Sequence, residues 1–305
     1  MFDLHQTFGK LKINRPVGQY CFRPTRPHHS TSALKNFAMD QDPASSLLVE
    51  RQGAVLGLKL NRAQALNSLN ADLTAALLGA LDAAARDTSV RCVVLGGQGR
   101  AFCAGQDLKD PKVANDAGKP KDLGDVVERH YKPLMLRLRS MPVPTLAAVG
   151  GVAAGAGASL ALLCDVVVAK RSAVFIQAFS SIGLVPDSGA TWVLPRLVGR
   201  AQALGMAMLG DKLPAERAEQ IGLIWKCVQD EAFEAEVRAL AERLCRLPTH
   251  ALVKTRALLD QGLTYSLEHA LDAEAQTQRE LGFAHDFAEG VAAFAQKRTA
   301  HFTDR

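Results

Sequence analysis

Residues 147–165 read AAVGGVAAGAGASLALLCD, and the fold turns on how this run is understood. The apolar lead over 145–149 has the pattern of a strand. It runs into Gly150, Gly151, Gly155 and Gly157, and then into 158–163 without a polar break. Glycine permits backbone conformations and close approaches that a Cβ forbids. A strand that turns through glycines into a helix leaves unpaired N–H groups at the helix start, where they carry partial positive charge. Such a place stabilises an anion, the more so between apolar walls. The run therefore reads as a backbone cradle for an oxyanion or anion. Tight helix–sheet packing without chemistry is the plain alternative. A dinucleotide fingerprint is not met, because GAGASL lacks the third glycine and no strand-ending acid lies about 20 residues on. A phosphate loop is not met either, since the run holds no lysine.

Across the 305 residues, a 48% hydrophobic and 22% charged composition describes a soluble globular protein able to bury a core. The longest apolar run, 153–168, is broken by Asp165 and falls short of the ~18–20 residues of a membrane span. The net charge of +5 resides in residues 1–38, where Lys10, Lys12, Arg15, Arg23, Arg26 and Lys35 face one acid, Asp3. Beyond them the two signs balance, which argues against a nucleic-acid surface. Cys21, Cys92, Cys103, Cys164, Cys227 and Cys245 stand alone, with no C-x-x-C and no histidine at metal-ligand spacing. They suit free thiols in a reducing, cytoplasmic setting. The sequence holds no metal constellation and no G-x-S-x-G elbow.

Residues 1–45, with Pro16, Pro24, Pro27 and Pro43, lack periodicity and are expected to form a poorly ordered basic extension. A targeting peptide is the other reading. Strands are expected over 47–50 and 54–60, about a turn at Gln52-Gly53. Asn70 suits the N-cap of a helix over 71–85, whose leucines at 73, 77, 78 and 81 share one face. A wholly apolar strand follows over 92–95. The polar segment 110–125 is expected to be a mobile loop over a site. A helix over 126–140 precedes the strand at 145–149. After the glycine run come strands over 166–169 and 173–177, a loop over 183–189 and a helix over 190–197. From residue 201 the pattern is almost all helix, in segments 201–209, 214–221, 231–246, 250–261, 266–281 and 287–298. Alternating strands and helices followed by helices alone predict an α/β core over 46–245 and a helical module over 246–305.

Four stretches together carry specificity: LNRAQALNSL (60–69), RAFCAGQDL (100–108), the glycine run, and IGLVPDSGATWVLPRLVG (182–199). In this combination and order the chain, from residue 47 to its end, resembles the enoyl-CoA hydratase/isomerase (crotonase) superfamily. The details GQDL, QAFSSIGLVPDSGATW and EGVAAFAQKR resemble one branch of it. That branch is the ring-epoxide isomerases that act on 1,2-epoxyphenylacetyl-CoA in phenylacetate breakdown. The resemblance implies an α/β fold, a spiral of ββα turns with a C-terminal helical trimerisation module, assembled as a homotrimer or a dimer of trimers. It implies an acyl-CoA substrate, whose coenzyme A is not a separate cofactor, and no metal, redox group, nucleic acid or membrane. It also implies that the thioester oxygen sits between two backbone N–H groups, those of Gln106 and Ala156. Ala65, Leu66, Ala104, Asp107 and Leu108 match residues that line the CoA in relatives, with Gln64 where some carry a cation. Phe294 and Lys297 match a C-terminal pair that often reaches CoA.

The departures from the pattern are as informative. Hydratases of the superfamily hold a water between two glutamates, and those positions fall here at Ser159 and Phe179. Neither side chain can exchange protons with water. Asp187 remains, in a loop beside Leu184, Val185 and Trp192, where family isomerases place a lone carboxylate. One carboxylate suffices to carry a proton between two carbons. The other reading of Asp187 is an N-cap for the helix that follows. Asp165 is expected to be structural, and Cys103 to pack rather than react. His130 and Tyr131 are expected either against an acyl ring or on a helix surface. Phe179 and Trp192 suit a pocket for a cyclic acyl group, or plain core. The expected activity is isomerisation of 2-(1,2-epoxy-1,2-dihydrophenyl)acetyl-CoA to its oxepin isomer, with a Δ3-to-Δ2 enoyl-CoA shift as a second activity. A fatty enoyl-CoA hydratase and a catalytically silent acyl-CoA binder are the alternatives.

Overall fold

The computed structural model describes residues 45–111 and 122–304. The expected extension up to residue 44, with its targeting alternative, and the 112–121 part of the expected loop lie outside the described residues.

A hairpin opens the fold: β1 (Leu47–Gln52) pairs antiparallel with β2 (Val55–Leu60) across a turn at Gly53. Helix α1 (Ala71–Arg86) starts where expected, with the Asn70 side chain accepting the Leu73 N–H, and buries Leu73, Leu77 and Leu81. Next come β3 (Cys92–Gly97), β4 (Ala101–Cys103) and a helix in three pieces. These are α2 (Leu123–Val126), a π-turn (Val127–Tyr131) and α3 (Lys132–Arg139). The following two turns of the spiral are β5 (Thr145–Val149), β6 (Val152–Ala154), α4 (Ala156–Leu162), then β7 (Val166–Lys170), β8 (Val174–Ile176), α5 (Ala190–Leu209). Strand β9 (Leu213–Pro214), α6 (Ala215–Gln220) and β10 (Lys226–Val228) close it. Helices α7 (Phe233–Arg246), α8 (Thr249–Gly262), α9 (Leu267–Gly282) and α10 (His285–Gln296) complete the chain.

Each turn gives one strand to each of two sheets. The larger has the order β1-β2-β3-β5-β7-β10 and is parallel from β2 onward. The smaller has the order β4-β6-β8-β9, parallel except for its last pair. Strands covered on both faces need apolar residues at every position. That is why β3 and β5 read as unbroken apolar runs, and why Leu146, Ala147, Val149, Val93 and Leu95 are all buried. Phe102 and Phe175, from the smaller sheet, fill the space between the sheets and the helices.

The glycine run departs from expectation in one respect. It contains a strand, β6, before the helix that begins at Ala156. Alanine and glycine have no hydrophobic contrast to reveal such a boundary. The helices expected over 190–197 and 201–209 are both present as the two halves of α5, which meet at a kink where Gly199 leaves helical geometry (φ 72°, ψ 165°). Strands β9 and β10 interrupt the all-helical pattern expected after residue 201. With two and three residues they are too short for alternation to register.

Asp165 is structural, as expected. Its carboxylate accepts the Thr145 N–H at 2.8 Å and pairs with Arg256 of α8 at 2.9 Å, tying the helical module to β5. Much of that module's apolar surface is uncovered: Leu263, Leu267, Phe283, Phe287 and Phe294 are all exposed. Among the described residues no helix is long and apolar enough to cross a membrane.

Candidate active site

The LNRAQALNSL segment builds one wall of the site through a buried asparagine. Asn67 takes a left-handed conformation (φ 56°), which asparagine tolerates better than most residues. Its side chain accepts the Arg62 N–H at 2.9 Å and donates to the carbonyls of Gln98 and Ala101 at 2.9 and 2.8 Å. Every polar atom of a fully buried side chain is thereby satisfied. Truncation would strand three backbone groups, so Asn67→Ala is expected to cost about 3 kcal/mol, read as a lower guanidinium midpoint at unchanged slope. A loss below about 1 kcal/mol would show that the loop re-pairs its groups without the amide.

This wall holds the RAFCAGQDL loop in place. Ala104 N–H donates to Leu66 at 3.0 Å, Leu69 N–H to Gly105 at 2.7 Å, and Asp107 N–H to Leu69 at 2.9 Å. The Arg62 guanidinium pairs with Asp107 at 2.8 Å. Burial alone would raise the Asp107 carboxyl, but Arg62 and the Lys109 N–H hold it below the usual carboxylate range. Asp107 is thus a brace of the loop, engaged within the chain. Ala65, Leu66 and Ala104 gather at the same edge, with Leu108 exposed beside them.

The bonds at 104, 105 and 107 skip one donor. Neither the Gln106 N–H nor the Ala156 N–H at the start of α4 has a partner among the described residues. The two segments touch: a Cβ placed on Gly105 would lie 2.9 Å from the Ala154 carbonyl oxygen and 3.5 Å from Ala156 N. Gly105 (φ +91°) and Gly155 (φ +51°) hold conformations that side chains resist, and they let the two donors meet. Two free N–H groups at a helix start, with Cys103 packed against Gly157 of that helix, make an arrangement able to hold an anion. The Cys103 thiol, wholly buried, is pushed up to about 12 by desolvation and stays protonated at neutral pH, as its packing role requires.

Asp187 lies on a loop tied to α4. Ser159, in α4, donates its hydroxyl to the carbonyls of Gly155 and Asp187, both at 3.3 Å, and so ties the Asp187 loop to the cradle helix. Ser188 (φ 52°) and Gly189 (φ 86°) then turn the chain into α5 through left-handed conformations. The N-cap of α5 is Gly189, and no side chain caps it, so the carboxylate of Asp187 is left for other work. Its Oδ1 is buried without a hydrogen-bond partner. Burial pushes the Asp187 carboxyl above its ordinary value. Phe179 packs its ring edge against Gly155, closing the same wall.

Other candidate residues lie elsewhere. Trp192 lines a cavity of about 490 Å³ between α5 and α8, with the Arg196 guanidinium 4.3 Å from its ring centre. Phe294 lines a second cavity, about 450 Å³, among α8, α9 and α10, and Lys297 ends α10. Neither cavity is lined by Gln106 or Ala156. The grouping of His285, Asp286 and Asp304 has metal-ligand types in reach of one another, yet its carboxylates serve the backbone. Asp286 accepts the N–H groups of Thr303 and Asp304, while Asp304 accepts that of Asp286, docking the C-terminal tail on α10.

The family model described as enoyl-CoA hydratase/isomerase matches residues 50–305. This chain belongs to the enoyl-CoA hydratase/isomerase family. It is 46% identical to the 1,2-epoxyphenylacetyl-CoA isomerase of Escherichia coli K12, over 85% of this chain and 98% of that one. It is 38% identical to the 2,3-dehydroadipyl-CoA hydratase of the same organism, over 86% of this chain and all (100%) of the relative. An enoyl-CoA hydratase from Polaromonas sp. JS666 has the same fold, with a TM-score of 0.77 at 34% identity, covering 84% of this chain and 99% of that one. The enoyl-CoA hydratase/isomerase family comprises enzymes that act on acyl-CoA thioesters, and the predicted spiral is the one observed. Ser159 and Phe179 stand where the resemblance puts the glutamates of hydratases, and both are engaged in holding the fold. Sequence reading missed the Ser159–Asp187 link and the Arg62–Asp107 pair, since each joins residues dozens of positions apart.

Proposed function

We propose that this enzyme isomerises 2-(1,2-epoxy-1,2-dihydrophenyl)acetyl-CoA to its oxepin isomer, and also shifts Δ3 enoyl-CoA double bonds to Δ2. The observation that carries the reading is the solitary Asp187 carboxylate, half-buried, with one unpartnered oxygen, on a loop tied to the helix of the anion cradle. The thioester oxygen accepts the N–H groups of Gln106 and Ala156, which makes the adjacent CH₂ acidic. Asp187 removes a proton there, and the charge passes to the thioester oxygen as an enolate. Each donor of such a hole is worth roughly 3–4 kcal/mol. Asp187 then returns the proton to a carbon further along the conjugated system. On the ring epoxide, the C–C bond shared by the two rings breaks to open the seven-membered ring, and the oxygen keeps both of its C–O bonds. No atom is gained or lost, so neither cofactor nor metal is called for. The name of the 46%-identical isomerase supports the ring-epoxide substrate.

Hydration is the disfavoured alternative, because a water would find Ser159 and Phe179 where it needs carboxylates. In this reading Ala65, Leu66, Ala104 and Leu108 border the CoA. The exposed apolar faces of α9 and α10 join copies into a cytoplasmic homotrimer or dimer of trimers, bringing Phe294 and Lys297 to the CoA of a neighbouring copy. The test compares three substrates on the wild-type enzyme: the ring epoxide, a 3-enoyl-CoA and crotonyl-CoA. Turnover of the first two with little hydration of the third is expected. Robust hydration of crotonyl-CoA would overturn the assignment.

A further inference from the structure

Ser159 is wholly buried in the first turn of α4, and its hydroxyl reaches two carbonyls at 3.3 Å, those of Gly155 and Asp187. The first contact is ordinary, because a serine inside a helix readily turns its hydroxyl to the carbonyl four residues back. The second is not, since its acceptor lies 28 positions further along the chain. A hydroxyl has one proton to give. The Gly155 carbonyl also accepts the Ser159 N–H at 3.1 Å, so it stays bonded without the hydroxyl. Removing the hydroxyl is therefore felt at Asp187. Among the described residues, every other hydrogen bond made by the segment 185–189 stays within it or runs to α5. The Ser159 bond joins that segment to α4, at a rise of only about 4.5 Å from Ala156. The Gly155 carbonyl and the Ala156 N–H belong to one peptide group. Ser159 thus touches both the peptide that offers a cradle donor and the main chain of Asp187.

We propose that Ser159 is a positioning residue whose hydroxyl sets how far the Asp187 carboxylate stands from the Gln106–Ala156 cradle. The inference rests on the reading of Asp187 as proton carrier. The bond falls on the Asp187 main chain, so it fixes the residue while leaving Oδ1 without a partner and open to substrate. Removal of a proton beside the thioester needs the base and the oxyanion donors together, at a fixed spacing. The ring epoxide and an open-chain 3-enoyl thioester share that step, so both depend on Ser159.

The test is the full-length Ser159→Ala variant, assayed on ring-1,2-epoxyphenylacetyl-CoA and on 3-hexenoyl-CoA. Alanine is the best helix former and is smaller than serine, so α4 is retained. The expected result is a fall in kcat of about ten- to a hundredfold on both substrates, with KM within about twofold of wild type. In the Asp187→Asn background the same substitution should change kcat by less than about threefold, because no carboxylate is left to place. A lower melting temperature with wild-type kcat would make Ser159 structural only. A raised KM at unchanged kcat would make it a binding residue. An undiminished loss in the Asp187→Asn background would mean that it acts through some other group. Each of those overturns the inference. A fully active Asp187→Asn enzyme sinks the reading of Asp187 itself, whereas an inactive Asp187→Asn beside a fully active Ser159→Ala sinks only the role of Ser159.

Discussion

Replacing Asp187 by asparagine is expected to lower kcat on a 3-enoyl-CoA roughly 10³-fold, the middle of the range for loss of a general base, with KM little changed. Asparagine keeps the shape of the side chain and the 3.3 Å bond from Ser159 to the Asp187 carbonyl, which is a backbone contact. What it loses is the capacity to take a proton. The same substitution is expected to raise the melting temperature at neutral pH. Burial makes the folded protein hold the Asp187 proton more tightly than the unfolded chain does, whose value is near 3.8. Stability therefore declines as pH rises from that value through the higher folded one, and the ionised carboxylate is a standing cost above it. Asparagine removes the cost, and the advantage should vanish as pH falls below the ordinary carboxylate range. Wild-type kcat, which needs the carboxylate, should rise with pH across the same window and then level. A fully active variant would put the base elsewhere, and a less stable one would make Asp187 a structural partner.

The opposition between activity and stability at one residue explains which parts of this protein were readable from sequence. Local features were. Asn70 caps α1 through a side chain three residues from its donor, and β5 is apolar from Leu146 to Val149 because both its faces are covered. The start of α4 was legible too, because Gly150, Gly151, Gly155 and Gly157 mark a strand turning into a helix, whereas Gln106 was named only through the family resemblance. Long-range partners were not. The Arg62–Asp107 pair spans 45 positions and braces the loop that carries Gln106. The Ser159–Asp187 bond spans 28, and its serine signals nothing beyond the absence of a glutamate. Helical spacing placed Tyr131 on a helix without telling its buried face from its exposed one, because the π-turn shifts the register there. Trp192 resembled a pocket residue by its neighbours in the chain, but a helical turn carries it toward α8.

Adding one methyl at Gly157 is expected to damage catalysis more than stability. Gly157 is the second residue of α4, and a Cβ there would overlap the Cys103 carbonyl oxygen and come within 2.7 Å of the Cys103 side chain. Neither partner yields easily. Cys103 ends β4, which pairs with β6, and the loop beyond it is pinned by the Ala104–Leu66 hydrogen bond. Relief must come from moving α4 away from the loop, which parts Ala156 from Gln106. Overpacking of this kind costs about 1–3 kcal/mol. A displacement of about 1 Å at a catalytic group costs on the order of a hundredfold in rate. Gly157→Ala should thus remain folded while kcat falls by about two orders of magnitude. Gly79→Ala is the control: nothing lies within 4 Å of its Cβ position on α1, so it should stabilise by ~0.5–1 kcal/mol and leave kcat unchanged. If Gly157→Ala melts lower but turns over at the wild-type rate, the spacing of the two N–H donors does not limit catalysis. If it loses rate on the epoxide and the 3-enoyl substrate alike, one cradle serves both, because the thioester is the part of the substrate they share.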